Sequence, residues 1–231
     1  ERTVVRPSQC VSLPDDLDDV TAAAIANPGM SAWAALKERA VLVAGESVLV
    51  NGATGTAGRL AIQIARYMGA RRVVATGRNA DALKALSALG ADVAIPLGDG
   101  GDAFEVALKE QFGGNGIDIV LDYLWGQSAE RIITAGAKAG KEAVPIRFVQ
   151  IGAVSAPAIT LASAALRSSA ITLMGSGIGS IPLERLVQSI GELLRATVPG
   201  RFQISTETFP LSEVGRVWAA ARGMPRAVFR I

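Results

Sequence analysis

The chain has 231 residues, 50% of them hydrophobic, and its 23 basic residues nearly cancel its 21 acidic ones. With no lysine-arginine block and no apolar run near the ~18 residues that span a bilayer, nucleic acid and membrane are not favoured partners. Its single cysteine, Cys10, excludes an internal disulfide and fits a reducing cytoplasm, and the length suits one domain or one domain plus pieces of another.

Residues 1 to 13 contain a short extended stretch, Thr3-Val4-Val5, and an apolar pair, Cys10-Val11. Asp15, Asp16, Asp18 and Asp19 are read as capping and preceding a helix from Val20 to Ala26, where negative charge suits the dipole, in preference to a cation site. Asn27-Pro28-Gly29 is expected to break that helix, with another from about Ser31 to Arg39 and a turn at Ala44-Gly45-Glu46.

Residues 47 to 79 then read as strand, glycine turn, helix, strand. Val48 to Val50 is a short apolar run, and Gly52, Gly55 and Gly58 follow at intervals of three. Leu60, Ala61, Ile64, Ala65 and Met68 recur at helical spacing, and Val73 to Ala75 closes a βαβ unit of ~30 residues. The alternation continues: helix Ala80 to Leu89 ending at Gly90, strand Asp92 to Ile95, a glycine-rich turn, helix Asp102 to Phe112, strand Ile117 to Leu121, helix Ser128 to Ala137 and strand Arg147 to Ile151. Residues 155 to 168 read loosely as loop plus short helix. A sixth strand, Ala170 to Met174, a helix from Pro182 to about Ala196, a strand Phe202 to Thr208, a helix Leu211 to Ala221 and a strand Val228 to Ile231 complete the chain. This is the pattern of an α/β doubly wound parallel sheet of about six strands, in which ligands bind beyond the carboxyl ends of the strands. Leu97, Tyr123, Leu124, Ile151 and Gly152 are cleft candidates by that topology alone.

The chemistry follows from what a helix start offers. Its first amides lack partners and its dipole is positive there, so a turn without side-chain bulk receives a diphosphate directly. Gly55 and Gly58 fill the second and third glycine places of the dinucleotide pattern, while Ala53 stands in the first. Arg59 in the first helical turn opposes the dipole unless an anion is near, and is read either as that anion's partner or as a solvated surface arginine. At the end of the second strand, Thr76-Gly77-Arg78-Asn79 carries a cation and no acid before Asp81, so Arg78 is read as the partner of a 2'-phosphate, favouring NADP over NAD, with a surface arginine starting the next helix as the alternative. Asp81 is expected to support the next helix start.

Asn27 to Trp33, Ala44 to Val50, the Ala53/Gly55/Gly58 turn, Leu89 to Asp92 and Gly116 to Asp122 together resemble the medium-chain dehydrogenase/reductase family, specifically its zinc-independent, quinone oxidoreductase-like branch. The resemblance spans nearly the whole chain, and alanine in the first glycine place is usual in that branch. It implies a central Rossmann domain, here 18–200, inserted in a GroES-like catalytic domain. Residues 1–17 would be a remnant of that domain, its earlier ~100 residues lying upstream, and 201–231 its returning tail. Without that domain the chain is expected to be poorly stable alone. By resemblance Ser31 lies near the nicotinamide, and Thr54, Gly55, Thr56, Ala57 and Gly58 lie under the diphosphate. Gly77, Arg78 and Asn79 fall at the end of the second strand by the 2'-phosphate, and Tyr123 and Leu124 beside the adenosine. Gly152, Gly175 and Ser176 would border the nicotinamide side, and strand 170–174 would pair with its twin in a homodimer.

With no histidine and one cysteine, a zinc site of three His/Cys ligands and a Ser-His-Asp triad are both unavailable within these residues. The expected activity is NADPH-dependent hydride transfer to a quinone or an α,β-unsaturated carbonyl, with no residue here assigned a catalytic role. Two alternatives stand: an atypical short-chain reductase, against which Tyr-x-x-x-Lys is absent, and a non-catalytic NADPH sensor.

Overall fold

The computed structural model describes residues 4–98, 102–220 and 225–231. The first long helix, α1 (Asp19–Ala34), starts where the acidic segment places it, with the Asp18 carboxylate accepting the Thr21 amide at 2.9 Å. It does not break at Asn27-Pro28-Gly29. Pro28 is buried inside it, and the helix continues into a π-type turn, Ala35–Ala40, ended by Val41 at φ 51°. Tertiary packing overrides the local rule. Gly29 has no side chain, so Leu193 closes onto it: a Cβ there would meet Leu193 at 2.7 Å.

Six parallel strands follow: β1 (Ser47–Asn51), β2 (Arg72–Gly77), β3 (Val93–Pro96), β4 (Ile119–Asp122), β5 (Ile146–Gln150) and β6 (Ile171–Gly175). Their order is β3-β2-β1-β4-β5-β6, so the sheet reverses its direction of growth between β1 and β4. Every residue of β1 and β4 is buried, as a sheet covered on both faces requires. The connections are α2 (Thr56–Tyr67), α3 (Ala80–Lys84), α4 (Ala103–Gly113), α5 (Gly126–Ala139), α6 (Ser163–Arg167) and, after β6, α7 (Leu183–Thr197). The helices α1, α2, α3 and α7 pack their apolar sides on one face of the sheet, and α4 and α5 on the other. The helix expected over 80–89 tightens after Lys84 into a 3-10 turn, Ala85–Leu89, and ends at Gly90 with φ 105°, the left-handed stop its glycine allows.

A second, two-stranded parallel sheet follows, β7 (Thr206–Pro210) and β8 (Arg226–Arg230), with α8 (Val214–Ala220) between them. The strand expected from Phe202 begins only at Thr206. Phe202 is buried edge-on against Tyr67 at 5.4 Å, and Gln203 exchanges hydrogen bonds of 2.7 and 3.1 Å with Gln63, so the lead-in is tied to α2 instead. Val4 and Val5 are in no strand and Pro7–Gln9 forms a 3-10 turn, while Thr3, most of the glycine turn after β3 and Ala221 lie outside the described residues. No helix among the described residues is long and apolar enough to cross a membrane.

The packing of α1 on α7 is pinned by Glu192, which accepts from the Trp33 indole at 2.9 Å and from Lys37 at 2.6 Å. Burial pushes its carboxyl pKa up, but the Lys37 and Trp33 hydrogen bonds and the Lys37 charge more than offset this, leaving it below the ordinary glutamate value. A depressed folded-state pKa stabilises the fold above the unfolded value and loses that contribution as pH falls through the folded one. Urea unfolding of wild type and Glu192→Gln should therefore differ most near neutrality and converge as the medium is acidified below the glutamate range. A gap independent of pH would show that the charge of Glu192 contributes nothing.

Candidate functional site

At the carboxyl end of β1 the chain turns through Gly52 at φ 88° and enters α2 with almost no clearance. A Cβ on Gly58 would lie 2.4 Å from the Gly52 carbonyl oxygen and 2.6 Å from Ala53 Cα, both backbone atoms that cannot swing aside. Gly55 is different: its nearest neighbour would be 3.8 Å away, so the space above it is open. As the N-cap, Gly55 offers no side-chain acceptor to the helix, and the first amides, of Thr56, Ala57 and Gly58, keep the unpartnered character of a bare helix start. Arg59 in that first turn has no hydrogen bond or ion pair among the described residues and lines a cavity of about 390 Å³ with Thr56 and Thr21. An open, cationic, uncapped helix start fits an anionic group.

Beneath the turn lies a polar row that the sequence did not suggest. The sheet register aligns Thr76, Asn51, Asp122, Gln150 and Gly175 as successive neighbours on β2, β1, β4, β5 and β6. The Thr76 hydroxyl donates to Asn51 Oδ1 at 2.6 Å, and Asn51 Nδ2 donates to Asp122 Oδ1 at 2.7 Å and to Ser128 Oγ at 2.9 Å. Asp122 is fully buried and also accepts the amides of Leu124 and Trp125 at 3.1 Å. Burial raises its carboxyl pKa, only partly countered by Asn51 and those two amides. The carboxylate thus holds the chain leaving β4, including Trp125 at φ 60° and ψ −160°, a conformation L residues rarely adopt. Single polar side chains at the ends of β1, β4 and β5, and one residue before the end of β2, carry no sequence pattern that marks them, and only the register joins them.

The residues singled out from sequence lie along this edge of the sheet in several separate contacts. Thr54 packs on Gly77, where a Cβ would meet the Thr54 methyl at 2.6 Å, and Leu124 packs on Gly52 at 2.9 Å by the same measure. Ser31 donates to the Pro28 carbonyl at 2.7 Å and stands 3.5 Å from the Tyr123 hydroxyl, while Gly152 presses on the Tyr123 carbonyl, 2.7 Å from its absent Cβ. Tyr123 is buried, which raises its hydroxyl pKa despite the Ser31 contact. Arg78 is exposed, has no partner among the described residues and lines a cavity of about 340 Å³ with Leu97, Ser128 and Arg131. Asn79 caps α3, its Oδ1 accepting the Ala82 amide at 2.9 Å, and Asp81 lies in the first turn of that helix, where its charge suits the dipole, and pairs with exposed Lys84. Gly175 is open on its Cβ side, its carbonyl accepts from Arg39 at 2.8 Å, and the Ser176 amide donates to the Gln150 carbonyl at 2.9 Å.

Sheet order, switch point and glycine turn define a Rossmann-type α/β protein of the dehydrogenase kind. The zinc-binding dehydrogenase family profile matches residues 57–195, and the chain belongs to the medium-chain dehydrogenase/reductase family. It is 30% identical over 217 residues to the probable NADPH-dependent quinone reductase tdiC of Emericella nidulans, spanning 88% of this chain and 59% of that protein. It is 33% identical over 144 residues to a mycocerosic acid synthase-like polyketide synthase of Mycobacterium tuberculosis, 61% of this chain and 6% of that one. A mycobacterial quinone oxidoreductase shares the fold with a TM-score of 0.81 at 22% identity, over 97% of this chain and 69% of that one. Membership of this family sets aside the short-chain reductase alternative.

Two outcomes follow from the geometry. Gly58→Ala should destabilise the protein by roughly 1 to 3 kcal/mol in a denaturant melt, since backbone at Gly52 and Ala53 has to move. Because Asp122 titrates above its unfolded value, its ionisation costs stability as pH rises from the unfolded pKa through the folded one. Stability of Asp122→Asn measured against wild type should therefore improve as pH rises through that range; a constant difference would contradict the burial of an ionised carboxylate.

Proposed function

We propose that this chain is the cofactor-binding half of an NADPH-dependent oxidoreductase that passes hydride to a quinone or an α,β-unsaturated carbonyl without zinc. The observation that carries this is the bare start of α2 above an open Gly55, with Arg78, just after β2, unpartnered among the described residues and its neighbours Thr76, Gly77 and Asn79 all lacking a carboxylate. The diphosphate would lie on Thr54 to Gly58, and the 2'-phosphate at Arg78, whose planar fork suits it. When bound, NADPH supplies the reactive hydride, and the protein's part is to bind and orient it. The donor set here does not fit a catalytic zinc ion, since the sequence holds no histidine and Cys10 is its single cysteine. The name of the fungal relative, a probable NADPH-dependent quinone reductase, supports the substrate class.

In this reading residues 18–200 form the NADP-binding domain, with 1–17 and 201–231 belonging to a GroES-like catalytic domain. The protein works in the cytoplasm as a homodimer joined through strand 170–174, where Thr172 of the open edge strand is exposed. A charge-assisted hydrogen bond contributes roughly 1.5 to 3 kcal/mol, so NADPH should bind ~10- to 100-fold tighter than NADH in a tryptophan-fluorescence titration. Arg78→Ala should remove most of that difference and leave NADH binding nearly unchanged. Equal affinities in the wild type would overturn the assignment to NADP. NADPH binding by the full-length protein without turnover across a panel of quinones and enones would favour a sensor instead.

A further inference from the structure

The π-type turn Ala35–Ala40 sends three consecutive charged residues to three partners. Lys37 pairs with Glu192 at 2.6 Å, Glu38 holds Arg185 of α7 by contacts of 2.9 and 3.1 Å, and Arg39 Nε donates to the Gly175 carbonyl at 2.8 Å. A π-type turn inserts an extra residue in the helix and so redirects the side chains that follow it. The first two pairs join helix to helix. The third does something else: it reaches from the end of the α1 segment to the last residue of β6.

Gly175 opens the loop Gly175-Ser176-Gly177-Ile178-Gly179 that leads to α7. A Cβ on any of its three glycines would meet nothing within 4 Å, and Ile178 at its tip is 93% exposed. Further along, Gly177 is tied to Ser180, and at its exit from β6 the loop is held by two hydrogen bonds, Arg39 to the Gly175 carbonyl and the Ser176 amide to the Gln150 carbonyl at 2.9 Å. One is backbone to backbone and any sequence would make it. The other depends on the identity of residue 39.

Topology gives this anchor a job. In a sheet of this order a dinucleotide straddles the switch point, its diphosphate at the helix after β1. With Arg78 placing the adenosine half over β2, the nicotinamide half extends the other way, over β4, β5 and β6, where Gly175 lies. We propose that Arg39 is a positioning residue for the nicotinamide half of the cofactor, fixing the Gly175 carbonyl and so the open loop that follows it. This rests on the NADPH reading above.

The test compares two ligands on the full protein: NADPH, and 2',5'-ADP, which carries the adenosine half alone. Arg39→Ala should weaken NADPH about tenfold, the loss of one charge-assisted hydrogen bond, and change 2',5'-ADP less than about twofold. Arg39→Lys, which keeps a cationic donor, should recover part of the NADPH affinity. Equal weakening of both ligands, or of neither, overturns the role of Arg39, because a residue that merely stabilises the fold has no reason to distinguish them. A wild type that binds neither ligand overturns the NADPH reading itself, and this role with it.

Discussion

The rest of the site depends on the contact of α2 with the Gly52 carbonyl. Because residue 58 has no Cβ, the helix can lie directly on the backbone of Gly52 and Ala53, and its first turn begins immediately beyond β1. The N-cap of that helix is Gly55, which has open space above it and supplies no capping side chain. The amides of the first turn and the positive end of the dipole are consequently presented to the crevice at the switch point. Arg59 adds a like charge to that end, which costs about 0.3 to 1 kcal/mol when no anion is present. Close packing and exposed polarity thus come from two glycines one helical turn apart, Gly58 for the packing and Gly55 for the open, uncapped start.

The polar row beneath the turn follows a related logic. A strand buried on both faces has no use for Asn51, Thr76 and Asp122 as core residues, and burying a carboxylate with no cation beside it is costly. The cost is limited because each member is hydrogen-bonded to the next, and Asp122 takes two further amides from the chain leaving β4. In return, three strand ends are locked at one level. Leu124 is thereby held against Gly52, and Trp125 is kept in a backbone conformation it would not adopt freely. Strain and buried polarity gather at the carboxyl edge of the sheet, where a ligand is expected, while the residues just below on β1, β2 and β4 are apolar.

Where the sequence was a reliable guide, the determinant was local. The strand cores, α2 and the glycine stop at Gly90 rest on apolar periodicity and on backbone conformations that few residues tolerate, and both are written in neighbouring positions. The misreadings have a common cause in partners distant along the chain. Pro28 looks like a helix end until Leu193 is brought onto Gly29, and Phe202 looks like a strand residue until Tyr67 and Gln63 claim the segment. The candidate site divides the same way. The glycines at 55 and 58 announce themselves, whereas Asn51, Asp122 and Arg39 acquire meaning only through register and through contacts 71 and 136 residues away.

The C-terminal βαβ unit bears on how the chain is organised. A two-stranded sheet is marginal in water by itself, and this one presents Trp218 76% exposed on α8. Its attachment to the Rossmann body runs through the Phe202 ring, which joins the main core, through the Gln63–Gln203 pair on α2, and through packing of β7 and β8 against α1. The face it offers elsewhere contains the kind of large apolar side chain that a monomeric surface seldom leaves open. In the proposed two-domain plan that face is an interior one, covered by the body of the catalytic domain. Burial of Trp218 would then tie the stability of the tail to the presence of that domain.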